Sequence, residues 1–177
     1  IGKIGYVEMS HADLTAIVGI GRTTFYEHFS SKEDLLVQMV RRDLPPLVTE
    51  TVESVDPSLP PDRRLAELAR TMVEFVGTDH LGLILHTEVP HLSPEAQEKI
   101  SEAHTGFAIA FASTYQEGLE AGVFRAVPPR LVGRMMEQMI MMGGQAVMDS
   151  ADPVADVEDI ARHTADMVVA ALRVVDG

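Results

Sequence analysis

The helical spacing of the apolar residues is the feature that most limits the folds open to this chain of 177 residues. Apolar side chains recur at intervals of three and four residues, and no segment alternates strictly over the length of a strand. We therefore predict an all-α fold. Glycine and proline breaks in the second part of the chain delimit helices at about 62–76, 80–87, 94–121, 129–149 and 154–175.

Two short helical patterns joined by a tight turn lie near the start of the chain. Ser10 with Asp13 opens the first as a capping box, and Gly19 ends it. The second extends from Arg22 to about Phe29. Two short helices around a glycine-containing turn are typical of a helix-turn-helix, whose second helix can enter the major groove of DNA.

A third helical pattern follows, and either of two serine–carboxylate pairs can cap its start: Ser30 with Glu33, or Ser31 with Asp34. Pro45 and Pro46 should kink or end this helix, because proline lacks an amide hydrogen and clashes with the preceding turn. The segment "DPSLPPD", residues 56–62, is the clearest linker. We place a head domain over residues 1–43 and a body domain over residues 44–177.

The charge of the chain is distributed unevenly between these two parts. The formal net charge is −13, which by itself argues against a nucleic-acid partner. Residues 1–42, however, carry five basic and five acidic side chains, so the whole deficit lies in the body. The head alone can therefore contact DNA.

Gly19, Gly21 and Arg22 also invite comparison with a nucleotide phosphate loop. In that alignment Ala16 stands at the first required glycine and Arg22 at the required lysine, and no strand precedes the turn. A dinucleotide fingerprint fails as well, because Thr24 occupies the position of the third glycine. The sequence therefore does not support nucleotide binding at this turn.

The residue types on the second helix favour DNA binding instead. With Phe25 and Phe29 facing inward, the outward positions are Arg22, Thr23, Thr24, Tyr26, Glu27 and His28. Arginine can bond to guanine, threonines can contact base edges, and Tyr26 and His28 can donate to phosphate or simply pack. Lys32 lies at the start of the next helix, where the helix dipole disfavours a positive charge. A phosphate partner would explain this placement.

The stretch "GYVEMSHADLTAIVGIGRTTFYEHFSSKEDLL", residues 5–36, resembles the DNA-binding signature of TetR-family transcriptional regulators. The resemblance implies that the DNA-facing residues are Ser10, Arg22, Thr23, Thr24, Tyr26, His28 and Lys32. It also implies a further helix before the signature, so we expect the head to be truncated at its start. Gly21 stands where the family usually has a Ser or Thr cap, which should cost only a few tenths of a kcal/mol.

The body of such a regulator is expected to bind a small apolar effector between its helices. Flexible methionines and aromatic residues suit such a pocket, although either type can simply fill a core. We assign to the pocket Met72, Phe75, His80, Leu83, His86, Phe107, Phe111, Tyr115, Met135, Met139 and Met142. The spacings of His80, His86, His91 and His104 do not place two ligands on one helical face, so we predict neither a metal nor a cofactor.

The two C-terminal helices are too apolar to be isolated surface helices, which favours a homodimer formed by four-helix packing. We assign to the interface Gly143, Ile160, Thr164, Met167, Val168, Ala171 and Leu172. Paired recognition helices about 35 Å apart would then read a palindromic operator.

We expect a cytoplasmic, membrane-independent repressor that its effector releases from double-stranded operator DNA. The proposed change is a population shift that displaces the helix over residues 31–44. The chain has no cysteines and no apolar run long enough to span a membrane. Two alternatives remain open: a helical-bundle small-molecule carrier or enzyme, and a helical interaction module that does not bind DNA.

Overall fold

The computed structural model describes residues 21–174, apart from the side chains of Arg22, His80 and Leu83. The α-helices in this range are α1 (Arg22–His28), α2 (Lys32–Glu53), α3 (Pro61–Thr78), α4 (His80–Thr87), α5 (Pro94–Ala103), α6 (Thr105–Glu120), α7 (Pro129–Met148) and α8 (Pro153–Leu172). A short 3₁₀ helix spans Val89–His91, and one isolated antiparallel bridge joins Phe124 to Arg173. The predicted all-α fold is confirmed.

Local sequence signals explain where most of these helices begin. Ser31, Ser93 and Asp152 cap α2, α5 and α8 by accepting a hydrogen bond from a backbone amide in the first turn. Of the two caps predicted for α2, the structure uses Ser31 with the amide of Asp34, at 3.0 Å. Gly21 caps α1 without a side-chain hydrogen bond, and the helix forms nonetheless, as predicted.

The prediction that Pro45 and Pro46 end the third helix is wrong, because α2 continues to Glu53. Both prolines are exposed, whereas Leu44 and Val48 on the opposite face are buried in the core. Burial of that apolar face outweighs the loss of the two amide hydrogens. The helix consequently crosses the domain boundary that we placed at residue 43.

The predicted helix over residues 94–121 is also wrong in one respect, because it is two helices, α5 and α6, separated at His104. The His104 ring nitrogen Nδ1 lies 2.9 Å from the carbonyl oxygen of Ile100, and the helix axis is interrupted there. Apolar spacing continues across this break, with Ile100 and Phe107 both buried, so periodicity alone could not locate it.

Helix α3 lies at the centre of the body and packs against both α7 and α8. The helices approach closely at glycines: a Cβ on Gly77 would lie 2.7 Å from that of Val147, and one on Gly144 would lie 2.3 Å from Val76 Cγ1. Helices α3, α7 and α8 therefore form a tightly packed block.

Helix α2 connects the head to this block and packs mainly on α5 and α6. Its buried residues Val37, Val40 and Leu44 belong to the same apolar core as Ala96 and Ile100 of α5. Because α2 follows α1 after three residues, the packing of α2 on α5 sets where α1 lies relative to the body. None of the helices described between residues 22 and 172 combines the length and apolar character that a membrane crossing requires.

Candidate functional site

Helix α1 presents a polar face outward and is held from behind by Phe25. Phe25 is 2% exposed, and its ring lies 5.4 Å from that of Phe29 and 5.5 Å, edge to face, from that of Tyr26. Along the opposite face, the exposed side chains are Thr23, Thr24, Tyr26, Glu27 and His28. The helix thus offers hydroxyl, phenol and imidazole groups on a surface with an aromatic anchor beneath it.

Four of the predicted DNA-facing residues, namely Thr23, Thr24, Tyr26 and His28, are exposed together on α1, and Tyr26 is 43% exposed. Lys32 is partly buried in the first turn of α2, directly after this surface. Ser10 and the side chain of Arg22 lie outside the described residues, as does the predicted helix that begins at Ser10.

The turn between α1 and α2 is fixed by the carboxylate of Asp34. Ser30 donates to it from its backbone amide at 2.8 Å and from its hydroxyl at 3.0 Å, and Gln38 donates from its side chain at 3.1 Å. The hydrogen bonds from Gln38 and then Ser30 lower the pKa of Asp34 below its ordinary value. Ser30, which follows α1, and the first turn of α2 are therefore joined into one hydrogen-bonded unit.

That unit contacts the body through Glu33. Its carboxylate accepts from the backbone amide of Ser93 at 2.9 Å and from the Ser93 hydroxyl at 2.6 Å. The sequence gives no sign of this contact, because the residues are 60 positions apart and no local pattern relates two such positions.

The residues predicted to line an effector pocket are divided between the core and its surface. Phe107, Phe111 and Tyr115 are buried, whereas Met142 is 68% exposed. Those that are half-buried are Met72, Phe75, His86, Met135 and Met139. The rings of Phe75 and Phe107 lie 6.3 Å apart. The side chains of His80 and Leu83 lie outside the described residues.

Tyr115 has a structural contact that the sequence did not reveal. Its hydroxyl donates to the carbonyl of Arg125 at 2.9 Å and accepts from the amide of Val127 at 2.9 Å, and its ring stacks on Phe124. Tyr115 thus anchors the segment that joins α6 to α7.

Two of the cavities at the surface bear on this prediction, because neither is lined by any predicted pocket residue whose side chain the structure describes. The first, which we call the α2–α6 groove, has a volume of about 330 Å³ and is lined by Val52, Val55, Pro57, Arg64, Leu68, Gly106, Ile109, Ala110, Ser113, Thr114 and Glu117. The second, of about 290 Å³, lies between the first turns of α2 and α5.

Arg64 is the principal charged side chain on the wall of the α2–α6 groove that the sequence did not single out. It pairs with Glu117 and donates from Nη1 to the carbonyl of Pro57 at 2.8 Å. Its Nε is buried without a hydrogen-bond partner. The groove therefore combines the apolar side chains of Val52, Val55 and Leu68 with the ion pair of Arg64 and Glu117.

Among the histidines whose side chains the structure describes, His104 has a clearly shifted pKa. Burial lowers the pKa of its imidazole, against the opposing effects of the Ile100 carbonyl and of the negative charge of Glu137. Over residues 21–174, no three histidine, aspartate or glutamate side chains are grouped so as to hold a metal ion.

The residues assigned to a dimer interface separate into an inner and an outer set. Gly143, Thr164, Val168 and Leu172 are buried within the protomer, and a Cβ on Gly143 would lie 2.6 Å from Thr164 Oγ1. Met167 is 55% exposed, and Ile160 and Ala171 are partly exposed. Only this outer set is available to a partner, because the inner set packs α8 against its own protomer.

Two family models match the chain. The model for bacterial regulatory proteins of the tetR family matches residues 1–39, and the model for the tetracyclin repressor-like C-terminal domain matches residues 58–142. They account for both the head and most of the body.

Individual relatives agree with the family models. The fatty acid metabolism regulator protein of Bacillus subtilis (strain 168) is 22% identical over 141 residues, which are 79% of this chain and 71% of that protein. The crystal structure of the transcriptional regulator FadR from Bacillus subtilis, in complex with stearoyl-CoA, superposes with a TM-score of 0.77 and 20% identity, covering 93% of this chain and 89% of that chain.

A second solved structure, AibR in complex with isovaleryl coenzyme A and operator DNA, superposes with a TM-score of 0.70 and 20% identity, covering 92% of this chain and 88% of that chain. The two Bacillus subtilis proteins are regulators by name. With both halves matched, the chain belongs to the TetR family and is a DNA-binding transcriptional regulator.

Proposed function

We propose that this protein is a repressor that binds a palindromic operator as a homodimer through α1 and is released by an acyl-CoA effector. The observation that carries the proposal is the exposed polar face of α1, held by the buried Phe25, within the segment that the tetR family model matches. Threonine hydroxyls and a tyrosine at such a surface suit contacts to base edges and phosphates.

Operator binding is tested by selecting duplexes from a randomised pool with the wild-type protein, and then measuring affinity at several salt concentrations. We expect a palindrome with half-sites about one helical turn apart and a steep loss of affinity with salt. Salt-insensitive binding would contradict the proposed phosphate contacts. Selection of no duplex would contradict operator binding itself and favour an interaction module that does not bind DNA.

Within the head, Arg22 and Lys32 should have different roles. Changing Arg22→Ala should relax base preference at one position of each half-site, by about 1–3 kcal/mol, whereas Lys32→Ala should weaken binding about equally on all sequences and reduce the salt slope by about one. The measurement is a comparison of affinities for single-base operator variants. Equal, sequence-independent weakening by both changes would remove the base-reading role from Arg22.

The choice of an acyl-CoA effector is supported by two solved structures of this fold, one in complex with stearoyl-CoA and the other with isovaleryl coenzyme A. The α2–α6 groove offers apolar side chains next to the Arg64–Glu117 ion pair, which suits an apolar chain carrying a polar group. At about 330 Å³ it lies at the lower end of the range for ligand pockets, so it would hold only part of such a molecule.

Filling the groove should therefore abolish the response to effector. Ser113→Trp places a large ring in the groove from an exposed position, and Ser101→Trp is the matched control on α5, also exposed but outside the groove. We expect stearoyl-CoA, but not coenzyme A alone, to release the wild type and Ser101→Trp from the operator and to leave Ser113→Trp bound. Normal release of Ser113→Trp would exclude the α2–α6 groove as the effector site.

A further inference from the structure

The contact between Glu33 and Ser93 has an unusual form, because it completes a helix cap between two different helices. Ser93 is the N-cap of α5, and its hydroxyl accepts from the amide of Ala96 at 3.3 Å. In a capping box, the third residue of the helix is a Glu or Gln that binds back to the N-cap amide. Here that position is Ala96, and the carboxylate that binds the Ser93 amide comes from Glu33 on α2.

Glu33 is therefore used differently from an ordinary acidic residue in a first turn. An acid at this position usually interacts with the amides and dipole of its own helix. The carboxylate of Glu33 instead accepts both hydrogen bonds, at 2.9 and 2.6 Å, from the residue that starts α5. Formation of the α5 cap is thus tied to the position of α2.

The Glu33–Ser93 contact lies at the N-terminal end of the seam between α2 and α5, and both of its hydrogen bonds cross that seam. The cavity of about 290 Å³ lies along the same seam and is lined by residues of both helices, including Val37 and Ala96. An ion pair across the same seam, Arg41 with Glu102, spans 4.0 Å between two well-exposed side chains. Such surface pairs contribute little.

The middle of α2, between the part next to the head and the part within the body, is also weakly constrained by its own backbone. Pro45 and Pro46 cannot donate to the carbonyls of Arg41 and Arg42, so α2 lacks two backbone hydrogen bonds between its head half and its body half. The angle of the head half then depends more on side contacts with α5 than it would in an uninterrupted helix.

From these observations we propose that Glu33 and Ser93 form a joint that positions the recognition helix on the body. Glu33 lies five residues after the end of α1, in the turn that Asp34 fixes to Ser30, so a change at the joint reaches α1 directly. Ser93 belongs to the body, at the start of α5. The joint selects the orientation of α1 that matches the operator, and this inference rests on the proposed operator binding.

The test compares variants that differ only in the joint, using the operator duplex selected by the wild type. Glu33→Ala and Glu33→Gln both remove a negative charge near the DNA, but Gln retains an oxygen that accepts from Ser93. We expect Glu33→Ala to bind the operator about fivefold more weakly than Glu33→Gln, and Ser93→Ala to lose a similar factor. The double variant Glu33→Ala with Ser93→Ala should be no weaker than the weaker single variant.

A second readout separates positioning from stability. Duplexes whose half-sites are moved apart by one or two base pairs should be rejected less strongly by Glu33→Ala and Ser93→Ala than by the wild type. Asp152→Ala removes the side-chain cap of α8, away from the head, and should lower the melting temperature while leaving the rejection of these duplexes unchanged.

Equal affinity and equal spacing preference of Glu33→Ala and Glu33→Gln would overturn the joint, as would additive losses in the double variant. Relaxed spacing in Asp152→Ala would overturn it too, because general destabilisation would then explain the effect. A wild type that selects no palindrome would instead refute the proposed function, and the joint with it.

Discussion

At the scale of single residues, the fold buries or hydrogen-bonds several polar side chains in ways that the residue type alone does not predict. His104 lies partly buried at the break between α5 and α6, with its Nδ1 against the Ile100 carbonyl. Burial disfavours the charged imidazolium and lowers the pKa of His104 in the folded state. Tyr115 and Arg64 are similar cases, since each is held by partners outside its own helix.

The lowered pKa of His104 predicts a pH dependence of stability. Above the unfolded-state pKa of about 6.5 the ring is neutral in both states, and as the pH falls the unfolded chain takes up the proton first. The free energy of unfolding should therefore fall as the pH drops from 7.5 to 5.5. His104→Asn should flatten this slope in urea titrations, whereas His91→Asn, at an exposed position, should not. An unchanged slope in His104→Asn would contradict this prediction.

At the scale of elements, α3 and α7 depend on glycine at the point where they cross. A Cβ on Gly144 would lie 2.3 Å from Val76 Cγ1 and 2.7 Å from Val76 Cβ, so the two helices would have to separate. We expect Gly144→Ala to lower the free energy of unfolding by about 1–3 kcal/mol. The measurement is urea unfolding. An unchanged free energy of unfolding would contradict this prediction, because α3 and α7 could then move apart without loss of stability.

Gly133 provides the matched control on the same helix. A Cβ there would meet nothing within 4 Å, so Gly133→Ala should raise the free energy of unfolding by about 0.5–1 kcal/mol through the backbone entropy of the unfolded chain. Gly144→Ala combined with Val76→Ala should recover part of the loss. The two alanine substitutions in α7 should change the free energy of unfolding in opposite directions. This difference distinguishes an effect of packing from an effect of helix propensity.

The bounds of a helix were predictable from sequence where local signals, such as a proline or a glycine, determine them. The predicted helix over residues 80–87 coincides with α4, and Pro129 and Pro153 start α7 and α8 within one residue of the predicted positions. Pro45 and Pro46 misled the prediction because burial of Leu44 and Val48, which is a tertiary effect, maintains the helix. The Glu33–Ser93 joint and the α2–α6 groove depend on residues that only the folded chain brings together.

At the scale of the whole molecule, the outer faces of α7 and α8 remain exposed although they carry apolar side chains. Met142 is 68% exposed, Leu131 58% and Met167 55%. The inner faces of the same helices pack against α3 within the protomer. The apolar residues of α7 and α8 thus form two surfaces. The inner surface packs against α3, and the outer surface suits a second copy of the chain in the proposed dimer.

The dimer surface is tested by placing a charge on it. Met167→Asp should convert the dimer to a monomer in sedimentation experiments at micromolar concentration, since a buried unpaired carboxylate at the interface costs several kcal/mol. Val154→Asp is the control, because Val154 is 87% exposed on the opposite side of the same helix. The monomer should also lose its preference for palindromes over single half-sites, because that preference depends on two linked recognition helices. A Met167→Asp protein that remains dimeric would place the interface elsewhere, and the assignment of the outer faces of α7 and α8 would have to be abandoned.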